Sequence, residues 1–306
     1  MLGLARSHIV VLLRRDQNWQ DARKNMGHID KIKNDRLLIQ QLQKALNRFP
    51  SFGYRRLTAV VNRQRLCEGG NKVNVKRVYR VLKQENLLLA TNKALMPGRS
   101  RDHSGKIHVQ RSNSRWCSDG LEFKCLNGET VTMTFILDCC DREVISFVAK
   151  KGRGLPAWMA REQVLLAVNR RFGSIDVVPH ALQLLTDNGA AYTSRTTRAL
   201  LATLGIEDCK TAVCSPQSNG MAENFVKTLK RDYLPFIDLS RAETALACLH
   251  EVIERYNNEH PHSALGYLSP AEFRAQNGQT QTESDPIKTP ICLMPEFIIT
   301  QQPMRC

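Results

Sequence analysis

Two apolar runs, VTMTFILD at 131–138 and EVISFVAK at 143–150, are separated only by the four residues CCDR. In the first run Val131, Met133, Phe135 and Leu137 alternate with Thr132, Thr134 and Ile136, the period-two rhythm of a β-strand. So short a connection closes an antiparallel hairpin and leaves no room for a crossover. WCSDGLEFKC, just upstream, predicts a third strand. Beyond the hairpin the rhythm changes. Residues 156–171 read as a helix, HALQLLTDNG as a short buried strand with its exit, 195–204 as a helix and 206–213 as a strand. A helix carrying Glu223 follows, and RAETALACLHEVIERYNN predicts one more. A hairpin first, then strands alternating with helices, predicts an α/β fold: a mixed sheet covered by helices.

The front of the chain is different. Of the net charge of +15, residues 1–112 hold 24 Lys+Arg against 7 Asp+Glu, or +17; the other 194 residues hold 20 against 22, or −2. Such asymmetry is the footprint of a module that binds a polyanion. DKIKNDRLLIQQLQKALNR sets Leu38, Leu42, Ala45 and Leu46 on one helical stripe, and Pro50 and Gly53 break the chain after it. YRRLTAVVNRQ places Leu57, Val60 and Val61 at i, i+3 and i+4. In NVKRVYRVLKQENLL, Asn74 predicts an N-cap and Val75, Val78, Tyr79 and Leu82 an apolar stripe, with Lys76, Arg77, Arg80 and Lys83 on the other faces. Three short helices with basic outer faces fit a helix-turn-helix-like unit, a pattern that many solvated helices share.

At 306 residues there is length for about two domains. The expected organisation is a basic helical DNA-binding region at 1–89, a linker at 90–112, a mixed-sheet α/β core at 113–275 and an irregular tail at 276–306. The opening MLGLARSHIVVLLRRD reads as a helix fragment, too short for a signal sequence, and no run approaches the roughly 20 apolar residues of a membrane span. The ten cysteines form no CxxC pair and read as reduced thiols of a cytoplasmic protein.

Three acids stand where chemistry could use them. Asp119 lies within or at the end of a strand, Asp187 where an apolar strand gives way to Gly189, and Glu223 on a helix. At about 100° per residue, Lys227 and Lys230 fall within about 40° of Glu223, whereas Phe225, Leu229 and Tyr233 fall on the opposite side. That helix can dock by its apolar face and hold one carboxylate and two ammoniums outward. A Glu223–Lys227 pair would contribute only about 0.3 kcal/mol, and spacing alone leaves a merely solvated face as an equal reading. Clustered carboxylates repel, by about 4 kcal/mol for two charges 4 Å apart at an effective dielectric of 20. Divalent cations remove that cost. An oxygen-only donor set suits Mg²⁺ or Mn²⁺, and two such ions can serve the attacking and leaving oxygens of a phosphodiester.

Thirty-five residues separate Asp187 from Glu223, and Lys230 follows seven residues later. With Asp119 upstream, this resembles the Asp, Asp, 35-residue, Glu signature of transposases in the retroviral-integrase superfamily. FGYRRLTAVV, SPQSNGMAENFVKTLKRD and YNNEHPHSALGYLSPAEF resemble the second-reading-frame product of the insertion-sequence-three family; RWCSDGLEF and LDCCDRE are similar to its insertion-sequence-two subgroup. The resemblance spans residues 8–275. It implies a ribonuclease-H-like catalytic core behind the helix-turn-helix-like region, with Asp119, Asp187 and Glu223 as catalytic and metal-binding residues for metal-dependent reactions on DNA that need no high-energy cofactor: cleavage at the element's ends, then strand transfer. It implies Lys230 and Lys227 as DNA contacts, with Arg55, Arg56, Lys76, Arg77 and Arg80 in the basic region. The implied partners are double-stranded DNA of the terminal repeats and target, further copies of the chain on that DNA, and an upstream-frame product of the same element, all in the bacterial cytoplasm at the nucleoid. The alternative expectation is a non-catalytic or truncated product that occupies element ends or inhibits the full transposase. Asn188 and Gly189 are expected to shape the turn that aims Asp187, and Asn219 and Gly220 to begin the Glu223 helix. Trp116 and Asp138 read as structural, and His262 as packing rather than DNA contact.

Overall fold

A computed structural model describes residues 28–89, 109–173, 176–211 and 219–277, with side chains described from residue 35. The expectations for the opening helix fragment, for most of the linker and for nearly all of the tail lie outside these residues. The chain divides into two units at Ala90/Thr91.

In the first unit three helices, α1 (His28–Arg48), α2 (Tyr54–Cys67) and α3 (Val75–Gln84), close on one core. Leu38, Leu42 and Ala45 of α1 meet Leu57 and Val61 of α2 there, and Phe49 stacks on Phe52 at 4.5 Å across the break. The Asn74 side chain caps α3 by accepting from the Lys76 amide at 2.8 Å. The α3 stripe needs correction. Val78, Val81 and Leu82 are buried, whereas Val75 and Tyr79 are exposed. The helix is rolled because its inner face must satisfy both α1 and α2, and Tyr79 instead sets its ring edge against Tyr54 at 5.1 Å.

In the second unit the described residues form a five-stranded sheet of order β3-β2-β1-β4-β5. β1 (Arg115–Lys124), β2 (Thr130–Asp138) and β3 (Val144–Lys151) pair antiparallel in succession, β4 (Leu182–Thr186) pairs parallel to β1, and β5 (Ile206–Lys210) pairs parallel to β4. α4 (Ala157–Phe172), α5 (Ala190–Thr193) and α6 (Arg195–Leu204) connect the later strands; α7 (Gly220–Asp232), α8 (Ala242–Glu259) and α9 (Pro270–Gln276) follow β5. The alternation of β2 separates two cores, since both faces of the strand are buried. Met133, Phe135 and Leu137 pack with Phe225 and Leu229 of α7 and with Leu249, Ile253 and Tyr256 of α8. Ile136 faces the other core with Trp116, Val164 and Leu201. Each fully buried side chain of this size contributes about 1.5–3 kcal/mol.

The hairpin turn is fixed by buried charge. Asp138 accepts from the Asn113 and Cys140 amides, both at 2.7 Å. Glu143 bonds Arg170 and Arg171, each at 3.1 Å, and also Arg274, which brings α9 onto the turn. Asn257 of α8 clamps the amide and carbonyl of Val144, each at 2.9 Å. α9 was not foreseen from sequence; it opens with a Ser269–Glu272 capping box and Pro270 in its first turn.

Candidate active site

The parallel pairing of β1 with β4 matches Arg115 with Gln183, Trp116 with Leu184 and Cys117 with Leu185. The pairing ends there: Asp119 lies two residues further along β1, and Asp187 stands just past the end of β4. Strand parity fixes the direction of Asp119. Asp119 shares a face with Cys117 and Leu121, which lie in the core capped by Ala222, Phe225 and Leu229 of α7. Glu223 sits on that same helix, whose Phe225 edge meets Phe135 at 4.5 Å. The opposed faces expected for α7 are present: Phe225, Leu229 and Tyr233 are buried, and Lys227 and Lys230 are exposed.

Asp119 and Asp187 line one cleft of about 350 Å³ with Glu122, Leu155, Gly189 and Tyr192. Burial pushes the Asp119 carboxyl up to about 6 against the hydrogen bond from the Gly120 amide, and the negative charges of Asp187 and Glu223 push in the same direction; Lys230 partly offsets them. Four of the sequence-predicted residues therefore share one field. Lys227 completes the group through its pair with Glu223 at 3.4 Å.

Each acid has a local partner. Asp119 Oδ1 accepts from the Gly120 amide at 2.7 Å, and Asp187 Oδ1 from the Gly189 amide at 3.0 Å. A Cβ at Gly189 would stand 2.9 Å from Asp187 Oδ1, so glycine is required there for the carboxylate to fold back over the turn. Asn188 donates to the Thr211 carbonyl at 3.2 Å. Among the described residues no three His, Cys, Asp or Glu side chains stand close enough to hold one ion together. Asp119, Asp187 and Glu223 share a field without forming a closed coordination sphere.

The sequence-predicted residues of the first unit lie on α2 and α3. Arg55 lies over the Tyr54 ring at 5.3 Å and Arg56 over Phe52 at 4.3 Å. Lys76 is exposed. Arg77 and Arg80 both bond Asp35 of α1, at 2.9 and 3.0 Å. A carboxylate 42 residues upstream of Arg77 gives no local signal of that contact. His262 packs its ring edge on Tyr256 at 5.2 Å.

An integrase core domain model matches residues 109–216, a second integrase core domain model matches 204–270, and an HTH-like domain model matches 33–94. Transposase InsD for insertion element IS2A/D/F/H/I/K of Escherichia coli is 43% identical over 280 residues, covering 90% of this chain and 90% of that protein. The chain belongs to the insertion-element transposase family. Transposase InsD for insertion element IS2-9 of Escherichia coli strain K12 is likewise 43% identical over 280 residues, covering 90% of this chain and 89% of that protein. The catalytic domain of Mos1 mariner transposase is a distant likeness, at 20% identity and a TM-score of 0.40 over 46% of this chain and 70% of that one. The transposase has an integrase core, built as a mixed sheet with flanking helices, and an HTH-like helical region before it in sequence. Its enzymatic class is that of the polynucleotidyl transferases. No helix among the described residues is long and apolar enough to cross a membrane.

Proposed function

We propose that this transposase cuts DNA at the ends of its element and joins the freed ends to target DNA, with Asp119, Asp187 and Glu223 as its catalytic carboxylates. The observation that carries this reading is the field at Asp119. Burial raises its carboxyl to about 6, and two acids from distant parts of the chain, Asp187 and Glu223, push in the same direction; a bound cation would offset that cost.

The donors fit a hard divalent cation: three carboxylates within one electrostatic field, with neither thiolate nor imidazole among them. Asp119 and Asp187 would share one Mg²⁺ or Mn²⁺, and Glu223 with one of the aspartates a second. Bound there, such ions supply charge neutralisation and an acidified water for phosphodiester attack. The chain's own residues do the placing. The Gly189 turn aims Asp187, the Gly120 amide orients Asp119, and the docked apolar face of α7 presents Glu223.

In the first step water attacks the phosphodiester at the element end, the P–O3′ bond breaks, and the 3′-oxygen leaves as a hydroxyl. In the second that hydroxyl attacks a target phosphodiester. One P–O bond forms as one breaks, so no nucleotide cofactor is required. Lys230 and Lys227 hold phosphates beside the cut. Lys76, Arg80, Arg55 and Arg56 bind the duplex from the helical unit, and Arg77 contributes through its hold on Asp35. Two ends must meet, so further copies of the chain assemble on DNA; an upstream-frame product of the same element is a further partner, at the bacterial nucleoid.

The test is incubation of end-labelled duplex from the element's termini with Mg²⁺ or Mn²⁺, comparing wild type with Asp119→Ala, Asp187→Ala and Glu223→Ala. Nicked and joined products from wild type alone are expected. Binding of the ends with neither nicking nor joining by wild type would establish the non-catalytic alternative.

A further inference from the structure

The three carboxylates are held by three separate elements, and the site is open to solvent. Beside it four buried polar side chains, among them the cleft-lining Tyr192, bond to one another: Ser118, Thr134, Gln163 and Tyr192, none more than 2% exposed. The Gln163 amide nitrogen donates to Ser118 Oγ at 2.9 Å. Ser118 Oγ and the Tyr192 hydroxyl lie 2.8 Å apart, as do the Tyr192 hydroxyl and Thr134 Oγ1. Thr134 Oγ1 donates to Gln163 Oε1 at 2.8 Å, and the ring closes.

The proton order follows from the amide. With its nitrogen donating to Ser118, the serine proton goes to Tyr192, the tyrosine proton to Thr134 and the threonine proton to Gln163. Every donor is used once and every link is short, so the ring polarises around its length. Burial pushes the Tyr192 hydroxyl up to about 12, which keeps its proton in place at neutral pH.

The ring joins the carriers of Asp119 and Asp187, and a separate bond to the Ser118 backbone ties in the carrier of Glu223. Ser118 precedes Asp119, and Thr134 Oγ1 also lies 3.1 Å from the Asp119 carbonyl. Tyr192 stands on α5, immediately after the Asp187 turn. Lys210 fixes that turn from both sides, donating to Thr186 Oγ1 at 2.8 Å and to the Tyr192 carbonyl at 3.3 Å. Asn219, one turn before Glu223, donates to the Ser118 carbonyl at 3.0 Å and is itself buried.

We propose that Tyr192 and Asn219 are positioning residues that refer all three carboxylates to one stretch of backbone, Ser118–Asp119. The ring at Tyr192 sets Asp187 against Asp119, and Asn219 sets Glu223 against the same point. Neither touches the reacting atoms. The inference rests on the assignment of the triad made above.

The experiment measures Mn²⁺ binding to the full-length protein, by loss of the free-ion electron paramagnetic resonance signal, alongside duplex affinity and cleavage rate. Tyr192→Phe keeps the ring's volume and removes one hydroxyl. Loss of such a supporting contact weakens metal binding by about 10- to 100-fold, and cleavage is expected to fall with it while duplex affinity stays at the wild-type value. Asn219→Ala, which leaves the ring whole, is expected to weaken the Glu223-dependent part of Mn²⁺ binding only, and it carries the test if Tyr192→Phe does not fold. Wild-type Mn²⁺ affinity and cleavage in a folded variant would overturn the positioning role while leaving the triad intact. Wild-type protein that neither binds Mn²⁺ nor cleaves would instead overturn the triad itself.

Discussion

Asp119→Asn should stabilise the transposase while abolishing its activity. The carboxyl is raised from 3.8 to about 6 by burial and by Asp187 and Glu223. At about 1.4 kcal/mol per pH unit this corresponds to roughly 3 kcal/mol. Asp119 keeps partial contact with water, and screening reduces the figure to about 1 kcal/mol. Asparagine can still accept from the Gly120 amide, so the variant loses the charge and little else. The sign is fixed by linkage. A carboxyl whose folded value is raised destabilises the fold in its ionised form, so the cost is absent below about pH 4, grows as pH rises towards 6 and is complete above it. For a unit of this size, 1 kcal/mol moves Tm by about 2–4 °C. The assay is thermal unfolding without divalent ions at pH 7.5 and at pH 3.5. The variant should melt higher at the first pH and level with wild type at the second, and Mg²⁺ should narrow the gap by stabilising wild type. An Asp119→Asn protein no more stable than wild type at pH 7.5 would refute the claim that the acids strain one another.

Four further outcomes follow from particular contacts. Gly189 has φ −60°, which any residue accepts, so Gly189→Ala should cost under about 0.5 kcal/mol in urea unfolding; its Cβ must nevertheless displace the Asp187 carboxylate, and cleavage should fall at least about tenfold. Arg171→Ala removes a buried guanidinium from Asp141 and Glu143, which keep Arg274 and, for Glu143, Arg170, and should cost about 2–3 kcal/mol in the same measurement, less than the ~3–5 kcal/mol of a wholly unpaired charge. Lys76→Ala should reduce the slope of log affinity against log salt by about 1 without changing Tm, whereas Arg77→Ala, which loses the Asp35 bond, should lower Tm as well. Glu129 is held down to about 2 by its bond from Lys151 and by the Ala242 amide; its contribution is present above about pH 4.5 and is lost as pH falls through 2, so the acid unfolding limb should flatten in Glu129→Gln.

The elements that rest on local pattern were legible in the chain. The CCDR hairpin, the strand that releases Asp187 and the two faces of the Glu223 helix all follow from periods of two and 3.6. The same reasoning misassigned the α3 stripe, taking Val75 and Tyr79 for core and missing Val81. A ten-residue helix offers several apolar arcs, and only its neighbours choose among them. It also read Arg77 and Arg80 as DNA contacts without seeing Asp35, and α9 went unnoticed because seven residues show too little periodicity.

Sequence alone determined which residue types were available: three hard-oxygen donors spaced along a strand, a strand exit and a helix, behind a strongly basic front. Tertiary structure decided which of them meet. Strand order set β4 beside β1 so that Asp119 and Asp187 line one cleft, parity turned Asp119 toward the core that α7 caps, and the ring of Ser118, Thr134, Gln163 and Tyr192 closed beside them. The division has a physical origin: backbone sterics and helical or strand period act over a few residues, whereas the field at Asp119 and the bonds of the ring join groups tens of residues apart that only a formed sheet brings within 3 Å.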